Sequence, residues 1–130
     1  MKPLSLEWIQ KAEADFSSAQ RESRVRTHPN PDAVCFFCQQ CIEKYLKGCL
    51  TDRQIAFPRT HDLSVLLSLT VSLYPLWQPF RSDLELLTGY AVAFRYPGES
   101  ATREMAQEAL RKTKTIRAVL RRDLGLESVT

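Results

Sequence analysis

Apolar residues recur at three- and four-residue steps over five stretches of the chain, and polar residues fill most of the positions between them. This spacing is typical of amphipathic α-helices, which collect their apolar side chains on one face. No persuasive alternation of apolar and polar residues indicates a strand. The first stretch runs from about residue 5 to residue 24, with Ser5 as its predicted N-cap. It stops before the two prolines of residues 27–31.

The second stretch has the clearest start signal. Asn30 is a good N-cap, Pro31 fits the first helical position, and Asp32 complements the helix dipole. A helix without proline follows over residues 33–50 and is apolar on two sides, which predicts a central position in a bundle. The apolar stripe of this helix is predicted to comprise Cys35, Cys38, Ile42, Tyr45, Leu46 and Cys49, widened by Phe36, Phe37 and Leu50.

Three more helices follow by the same spacing. One begins near Thr60 or His61, and one spans about residues 80–94. The last helix has Ser100 as its predicted cap, and Gly125 is predicted to terminate it. Its predicted buried face comprises Met105, Ala109, Ile116, Val119 and Leu120, whereas Trp77 and Phe80 are candidates for exposed apolar residues. The predicted fold is therefore all-α: an up-and-down antiparallel helical bundle of about five helices.

Length and composition narrow the class of protein. The chain has 130 residues, so we expect one domain over residues 1–130. It lacks an uncharged apolar run of about 18 residues, so we expect no membrane span. Glu7 interrupts the apolar residues near the N-terminus, which disfavours a signal peptide and makes a cytoplasmic location the expectation.

All four cysteines fall within the second predicted helix, between Cys35 and Cys49. Side chains at these spacings point in different directions around a helix, so they do not converge on one ion. Cysteine that is buried behaves as a small hydrophobic residue. We therefore predict that the four thiols pack in the core, and we expect neither a metal site nor a cofactor.

Positive charge is concentrated between residues 100 and 122, and a smaller basic cluster comprises Arg21, Arg24 and Arg26. Such patches attract phosphate groups, but a solvated helix face gives the same pattern. Two other positions suggest chemistry more directly. His61 lies at a predicted helix start and could serve as an acid or base, or only cap the helix. Arg95 follows a helix next to Tyr96, where it could hold a phosphate while the ring stacks on a base.

Three short motifs occur in the order and spacing of a known family. They are residues 37–47 (FCQQCIEKYLK), residues 60–63 (THDL) and residues 95–97 (RYP). Together they resemble the HEPN domain family (higher eukaryotes and prokaryotes nucleotide-binding) over nearly the whole chain. The resemblance implies a five-helix bundle that is commonly a homodimer. It also implies a toxin–antitoxin-like pair with a separate minimal nucleotidyltransferase.

Many members of that family are metal-independent RNases, which carry an arginine, four to six other residues and a histidine near the fourth helix. This chain departs from the pattern, because no histidine follows Arg95 at that spacing. Arg21 and His28 have a matching spacing, but they lie at the end of the first helix. A match by chance is expected in a chain with this many arginines, so we give this pair no weight.

Three functions remain open at this point. The first is a binding module for a nucleotide or nucleic acid; its predicted site comprises Arg95, Tyr96, Lys44, Lys47 and His61. The second is a metal-independent RNase that uses Arg95 and His61. The third is a purely structural interaction protein, in which Gln40, Glu43 and His61 form an internal hydrogen-bond network. Only the first requires Arg95 and the lysines of the second helix to share a solvent-reachable hollow.

Overall fold

The computed structural model describes residues 1–126, and over these residues the chain is all-helical. Five α-helices and one 3-10 helix form an antiparallel bundle, so the predicted fold class is confirmed. The helices are α1 (Pro3–Ser23), α2 (Pro31–Asp52), α3 (Leu63–Thr70), α4 (Arg81–Ala93) and α5 (Arg103–Asp123), and the 3-10 helix Pro75–Phe80 precedes α4. No helix within residues 1–126 is long and apolar enough to cross a membrane. The last four residues of the expected domain lie outside the described part.

Helix α2 occupies the centre of the bundle, as its two-sided apolar pattern predicts. Asn30 caps it by accepting a hydrogen bond from the backbone N–H of Ala33 at 3.1 Å, and Pro31 is its first residue. It packs against α1, α3, α4 and α5. Because α2 contacts every other α-helix, most of its side chains are covered, and even Glu43 and Lys47 are buried.

Helix α1 packs antiparallel to α2, and its start differs from the prediction. Ser5 is not the N-cap: Lys2 occupies that position, Pro3 is the first helical residue, and Ser5 lies fully buried inside the helix. A proline fits the first turn because its missing N–H has no partner there in any case. The backbone N–H of Lys2 donates to the carboxylate of Asp52 at 2.9 Å, which joins the start of α1 to the end of α2.

Gly48 allows α1 and α2 to approach closely. A Cβ atom at this position would lie 3.0 Å from Cδ1 of Ile9 and 3.1 Å from Cβ of Trp8. Both distances are shorter than an ordinary contact between carbon atoms of about 3.5–4.0 Å. A side chain at this position would force Ile9 and Trp8 to shift by a few tenths of an ångström, so glycine fits this contact without adjustment.

Two other helix starts are displaced from their predicted positions by two or three residues. Helix α3 begins at Leu63 rather than at Thr60 or His61, because Asp62 accepts the backbone N–H of Ser64 at 2.9 Å. Helix α5 begins at Arg103, and its cap is Thr102 rather than Ser100. Each observed cap places an oxygen within reach of an N–H in the first turn.

Burial corrects the prediction at three apolar residues. Trp77 is fully buried rather than exposed, and the large apolar residue exposed in its 3-10 helix is Leu76. Phe36, predicted to widen the buried face of α2, is 40% exposed. Met105 is also exposed, because Ala106 takes its place on the buried face of α5, whereas Ala109, Ile116 and Leu120 are buried as predicted. The predicted end of α5 is confirmed, since Gly125 has a φ of 71° just beyond it.

The four cysteines are buried and unoxidised, which confirms that they pack in the core. Burial raises the pKa of Cys35 and Cys49 to about 11 and that of Cys38 to about 12. Thiolate, the reactive and metal-binding form, is therefore scarce at neutral pH. No group of three or more His, Cys, Asp or Glu residues able to hold a metal ion occurs within residues 1–126.

Candidate functional site

A hollow lined by aromatic rings lies between the start of α2 and the end of α4. Its volume is about 320 Å³. We call it the aromatic hollow and define it by Phe36, Phe37, Tyr90, Phe94 and Arg95. The two phenylalanines of α2 contact edge to face with ring centroids 5.6 Å apart, and the two rings of the α4 side are 5.3 Å apart. Asp32 also lines the cavity, and its carboxylate accepts the backbone N–H of Ala101 at 2.6 Å. The cavity therefore offers flat apolar surface with one cation and one hydrogen-bonded carboxylate.

Arg95 lies at the point where the backbone leaves α4. The helix ends at Ala93, and the backbone N–H of Arg95 still donates to Val92 at 3.4 Å. The turn after it is completed by Gly98, whose φ of 90° is unfavourable for residues with a side chain. Within residues 1–126 the Arg95 guanidinium has no hydrogen bond or ion pair, and the Tyr96 ring is 63% exposed. Both side chains are therefore available to a ligand.

A cluster of polar side chains lies further along α2, around the buried carboxylate of Glu43. Its oxygens accept hydrogen bonds from Gln39 at 3.1 Å and from the Lys47 ammonium at 3.1 Å, and one of them lies 2.7 Å from Nδ1 of His61. Gln40 is bonded to Gln39 at 2.8 Å and lies 3.4 Å from the same carboxylate. The structure therefore brings Gln40, Glu43 and His61 together, as the third of the sequence hypotheses describes. We call these residues the Glu43 cluster.

Glu43 is ionised despite its burial. Burial alone raises the pKa of its carboxyl, but hydrogen bonds from His61, Gln39 and Lys47, with the charge of Lys47, outweigh that effect and leave the pKa below its ordinary 4.5. A carboxylate only accepts hydrogen bonds, so Nδ1 of His61 carries the proton that it shares with Glu43. The imidazole side chain is 65% exposed. Glu43 thus holds a solvent-facing histidine in one orientation.

Lys47 is enclosed in the bundle rather than directed to solvent. Its ammonium lies 5.8 Å from the ring centroid of Trp8 and 5.9 Å from that of Phe57, in addition to its ion pair with Glu43. Aromatic faces attract a cation, so these rings supplement the carboxylate. The side chain is only 10% exposed.

Lys44 belongs to neither group. It forms an ion pair of 2.5 Å with Asp15 of α1, and both side chains are largely covered. The five predicted site residues therefore occupy three places: Arg95 with Tyr96, Lys47 with His61, and Lys44 alone with Asp15. The aromatic hollow uses α2 up to Phe37, and Glu43 lies almost two turns later, about 9 Å along the helix axis.

The walls of the aromatic hollow were not predicted from the sequence. The prediction placed Phe36 on the buried face of α2, although this residue lies about 100° from Cys35 and about 200° from Cys38 around the helix. This angle from the cysteine stripe is the feature of the sequence that indicates an exposed Phe36. Phe37 is half-buried at the edge of the core, and Tyr90 and Phe94 lie opposite on α4.

Comparison with known proteins agrees with this architecture. The crystal structure of TT1696 from Thermus thermophilus has the same fold, with a TM-score of 0.76 and 21% identity over 91% of this chain and 96% of that one. ST0689, described as an archaeal HEPN homologue, has a TM-score of 0.67 and 25% identity over 95% of this chain and 98% of its own. No curated protein matches the chain. A model of the HEPN domain matches residues 5–123, and by this match the chain belongs to the HEPN domain family.

Proposed function

We propose that this protein binds a nucleotide or RNA at the aromatic hollow, where Arg95 holds a phosphate and Tyr96 stacks on a base. The observation that carries the proposal is a guanidinium, unpartnered within residues 1–126, at the edge of a cavity walled by aromatic rings. Stacking on aromatic side chains and arginine contacts to phosphate are the usual means of recognising unpaired nucleotides. Membership of a nucleotide-binding family supports the same function.

The other predicted contacts differ in accessibility. His61 exposes most of its ring, so we propose it as a second contact for a ligand that extends along α2 from the aromatic hollow. Lys44 and Lys47 are each held by a carboxylate, so either lysine contacts phosphate only if the ligand displaces Asp15 or Glu43. Their predicted phosphate contact is retained as the weakest part of the site.

Replacing Arg95 by alanine is expected to weaken binding of a short single-stranded RNA by about tenfold or more, because one charge-assisted phosphate contact is lost. The salt dependence should also fall, by about one unit in the slope of log affinity against log salt. Fluorescence anisotropy with a labelled hexanucleotide at several salt concentrations measures both quantities.

Arg53→Ala is the matched control for this experiment. Arg53 is also an exposed arginine just after a helix, but it follows the far end of α2. We expect the control to bind as the wild type does. Equal affinities for the Arg95 and Arg53 variants, or no binding by the wild type, would remove the aromatic hollow as the ligand site.

A second candidate function, metal-independent RNA cleavage, is favoured by the orientation of His61. A histidine held by a buried carboxylate, with its other nitrogen toward solvent, is arranged as general bases commonly are. His61 is held by Glu43, which lies about 9 Å along α2 from Phe37 of the aromatic hollow, so we expect His61 and Arg95 of one chain to contact different parts of a ligand. Cleavage of RNA in EDTA that is lost in His61→Ala would support this function over binding alone.

We further propose that the protein is a homodimer. Phe36 lines the aromatic hollow, and Val92 and Tyr96 lie in and just after the part of α4 that forms its other wall; the three residues are 40%, 54% and 63% exposed. Contiguous apolar surface favours association, and we propose that these residues form part of such a surface. Val92→Asp places a charge there without disturbing the core and is expected to shift the sedimentation coefficient from dimer to monomer. Val65→Asp, at an exposed valine of α3, is the control and should leave the assembly unchanged.

The partner in a toxin–antitoxin-like pair is proposed to be a separate minimal nucleotidyltransferase. This proposal rests on the family resemblance. A gene for a small nucleotidyltransferase beside the gene for this chain would support it, and co-purification of the two products would provide the direct test.

A further inference from the structure

A larger cavity of about 550 Å³ lies on the opposite side of the α2 start from the aromatic hollow. It is enclosed by the end of α1, the connection to α2 and the first turn of α5. Three arginines line it, two from the first connection and one from α5. We call it the arginine pocket and define it by Arg24, Arg26 and Arg103.

The three guanidiniums of the arginine pocket have no hydrogen bond or ion pair in the described part of the chain. Several other cations of this bundle are paired, for example Arg117 with Glu13 at 2.5 Å and Lys112 with Asp83 at 2.7 Å. Among the described residues, the only acidic one that lines the arginine pocket is Glu22. Like charges around one cavity repel each other, and an anion that binds between them relieves this repulsion. The excess of cations suits a ligand with two negative charges.

The rest of the wall is mixed, with apolar residues beside the polar Ser23, Asn30 and Gln107. Val34 and Ala106 are buried beneath the cavity, and Val25 and Pro29 line it with surface exposed to solvent. Inorganic phosphate alone would leave most of this volume and surface without contact. A cavity of this size is in the range that accommodates small organic ligands, about 300–1,000 Å³. The lining therefore favours an anion that carries an apolar body.

The arginine pocket and the aromatic hollow both include Asn30 at the start of α2, but their other lining residues differ. Val34 lines the first and Phe36 the second, and these residues lie about 200° apart around α2. The cations at the two cavities also differ, since Arg95 lines only the aromatic hollow.

We infer that the arginine pocket is a second ligand site, which binds a small organic phosphate monoester: the dianionic phosphate contacts Arg24, Arg26 and Arg103, and its apolar substituent lies on Val25 and Val34. Guanidinium groups bind phosphate through paired N–H donors, so three of them recognise its geometry as well as its charge. This site is independent of the proposed function at the aromatic hollow.

Phenyl phosphate is a suitable probe because it combines a phosphate monoester with an apolar ring. Isothermal titration of the full chain should show binding that tightens from about pH 5 to about pH 7.5, since the second proton of a phosphate monoester leaves near pH 6. Inorganic phosphate lacks the apolar ring, and phenol lacks the phosphate. Each should therefore bind at least about tenfold more weakly than phenyl phosphate.

Arg24→Ala, Arg26→Ala and Arg103→Ala remove exposed side chains, so the variants should fold as the wild type does. Each is expected to weaken phenyl phosphate by about fivefold or more, and the triple variant should show no binding. Arg53→Ala and Arg95→Ala change arginines outside the arginine pocket, so these controls should bind phenyl phosphate with the affinity of the wild type.

Three results would overturn the inference: no heat with the wild type at millimolar phenyl phosphate, unchanged affinity in the triple variant, or a loss in Arg95→Ala equal to that in the triple variant. The last would place the probe in the aromatic hollow instead. Failure of RNA to bind at Arg95 would leave this experiment unaffected, so the two proposals fail separately.

Discussion

Replacing Trp77 by alanine is expected to lower the free energy of unfolding by about 3–5 kcal/mol, the usual loss for a large aromatic residue removed from a core. Trp77 is fully buried, and its ring stacks on Tyr74 with centroids 4.1 Å apart. Its indole N–H donates to Asp123 at 2.7 Å, at the last residue of α5. The substitution therefore opens a cavity and also releases the end of α5 from the 3-10 helix. Urea denaturation followed by circular dichroism at the helix band measures the loss.

Two variants test whether burial causes that loss. Leu76→Ala changes the neighbouring residue, which is 79% exposed, and should alter stability by less than about 0.5 kcal/mol. Trp77→Phe keeps a ring against Tyr74 but removes the hydrogen bond to Asp123, so its loss should be intermediate. A loss in Trp77→Ala no larger than that in Leu76→Ala would contradict the burial on which the prediction rests.

Trp77 also shows where the sequence ceased to be informative about the fold. Helical spacing identified all five helices, because an apolar stripe at three- and four-residue steps depends only on local geometry. The prolines beside Trp77 indicated a loop, and exposed apolar residues are common in loops. Burial of Trp77 instead depends on Tyr74 and on Asp123, which is 46 residues away in the chain. No local pattern contains that contact.

The candidate sites were predictable to a smaller extent. Arg95 and Tyr96 could be recognised because a proline and a glycine after them mark the end of a helix. The sequence did not show which cations are already paired. The partner of Lys44 is on α1, and the partners of Arg117 and Lys112 are also on other helices. The basic cluster that contains Arg24 and Arg26 was visible in the sequence, but the cavity that it shares with Arg103 was not. Arg24 and Arg103 are far apart in the chain, and only the packing of α5 beside the end of α1 places them around one cavity.

Replacing Glu43 by alanine is expected to destabilise the protein by about 3–5 kcal/mol, as when one partner of a buried ion pair is removed. The Glu43 side chain is 4% exposed, and its oxygens accept hydrogen bonds from α2 and from His61. Without it, the Lys47 ammonium remains enclosed between Trp8 and Phe57 with no carboxylate. Gln39 and His61 lose their acceptor at the same time. Urea denaturation at neutral pH measures this loss.

The stabilisation that Glu43 provides depends on pH. The pKa of Glu43 in the folded protein is lower than its ordinary 4.5, so its ionised form is favoured by folding. The stabilisation is fully present above the pKa of the unfolded chain and is lost as pH falls through the folded pKa. The difference in stability between the wild type and Glu43→Gln should therefore be largest near neutral pH and shrink below pH 4.5.

A double-mutant cycle with Lys47→Met separates the lost ion pair from the lost packing. Methionine fills most of the volume of the lysine stem but carries no charge, so no carboxylate is required to neutralise it. If an unpaired ammonium causes most of the damage in Glu43→Ala, then Glu43→Ala combined with Lys47→Met will be more stable than the sum of the single losses, by about 1–3 kcal/mol. Strict additivity would instead mean that Glu43 acts through Gln39 and His61 and that its pairing with Lys47 contributes little. In that case the loss of stability in Glu43→Ala comes from the acceptor that Gln39 and His61 lose.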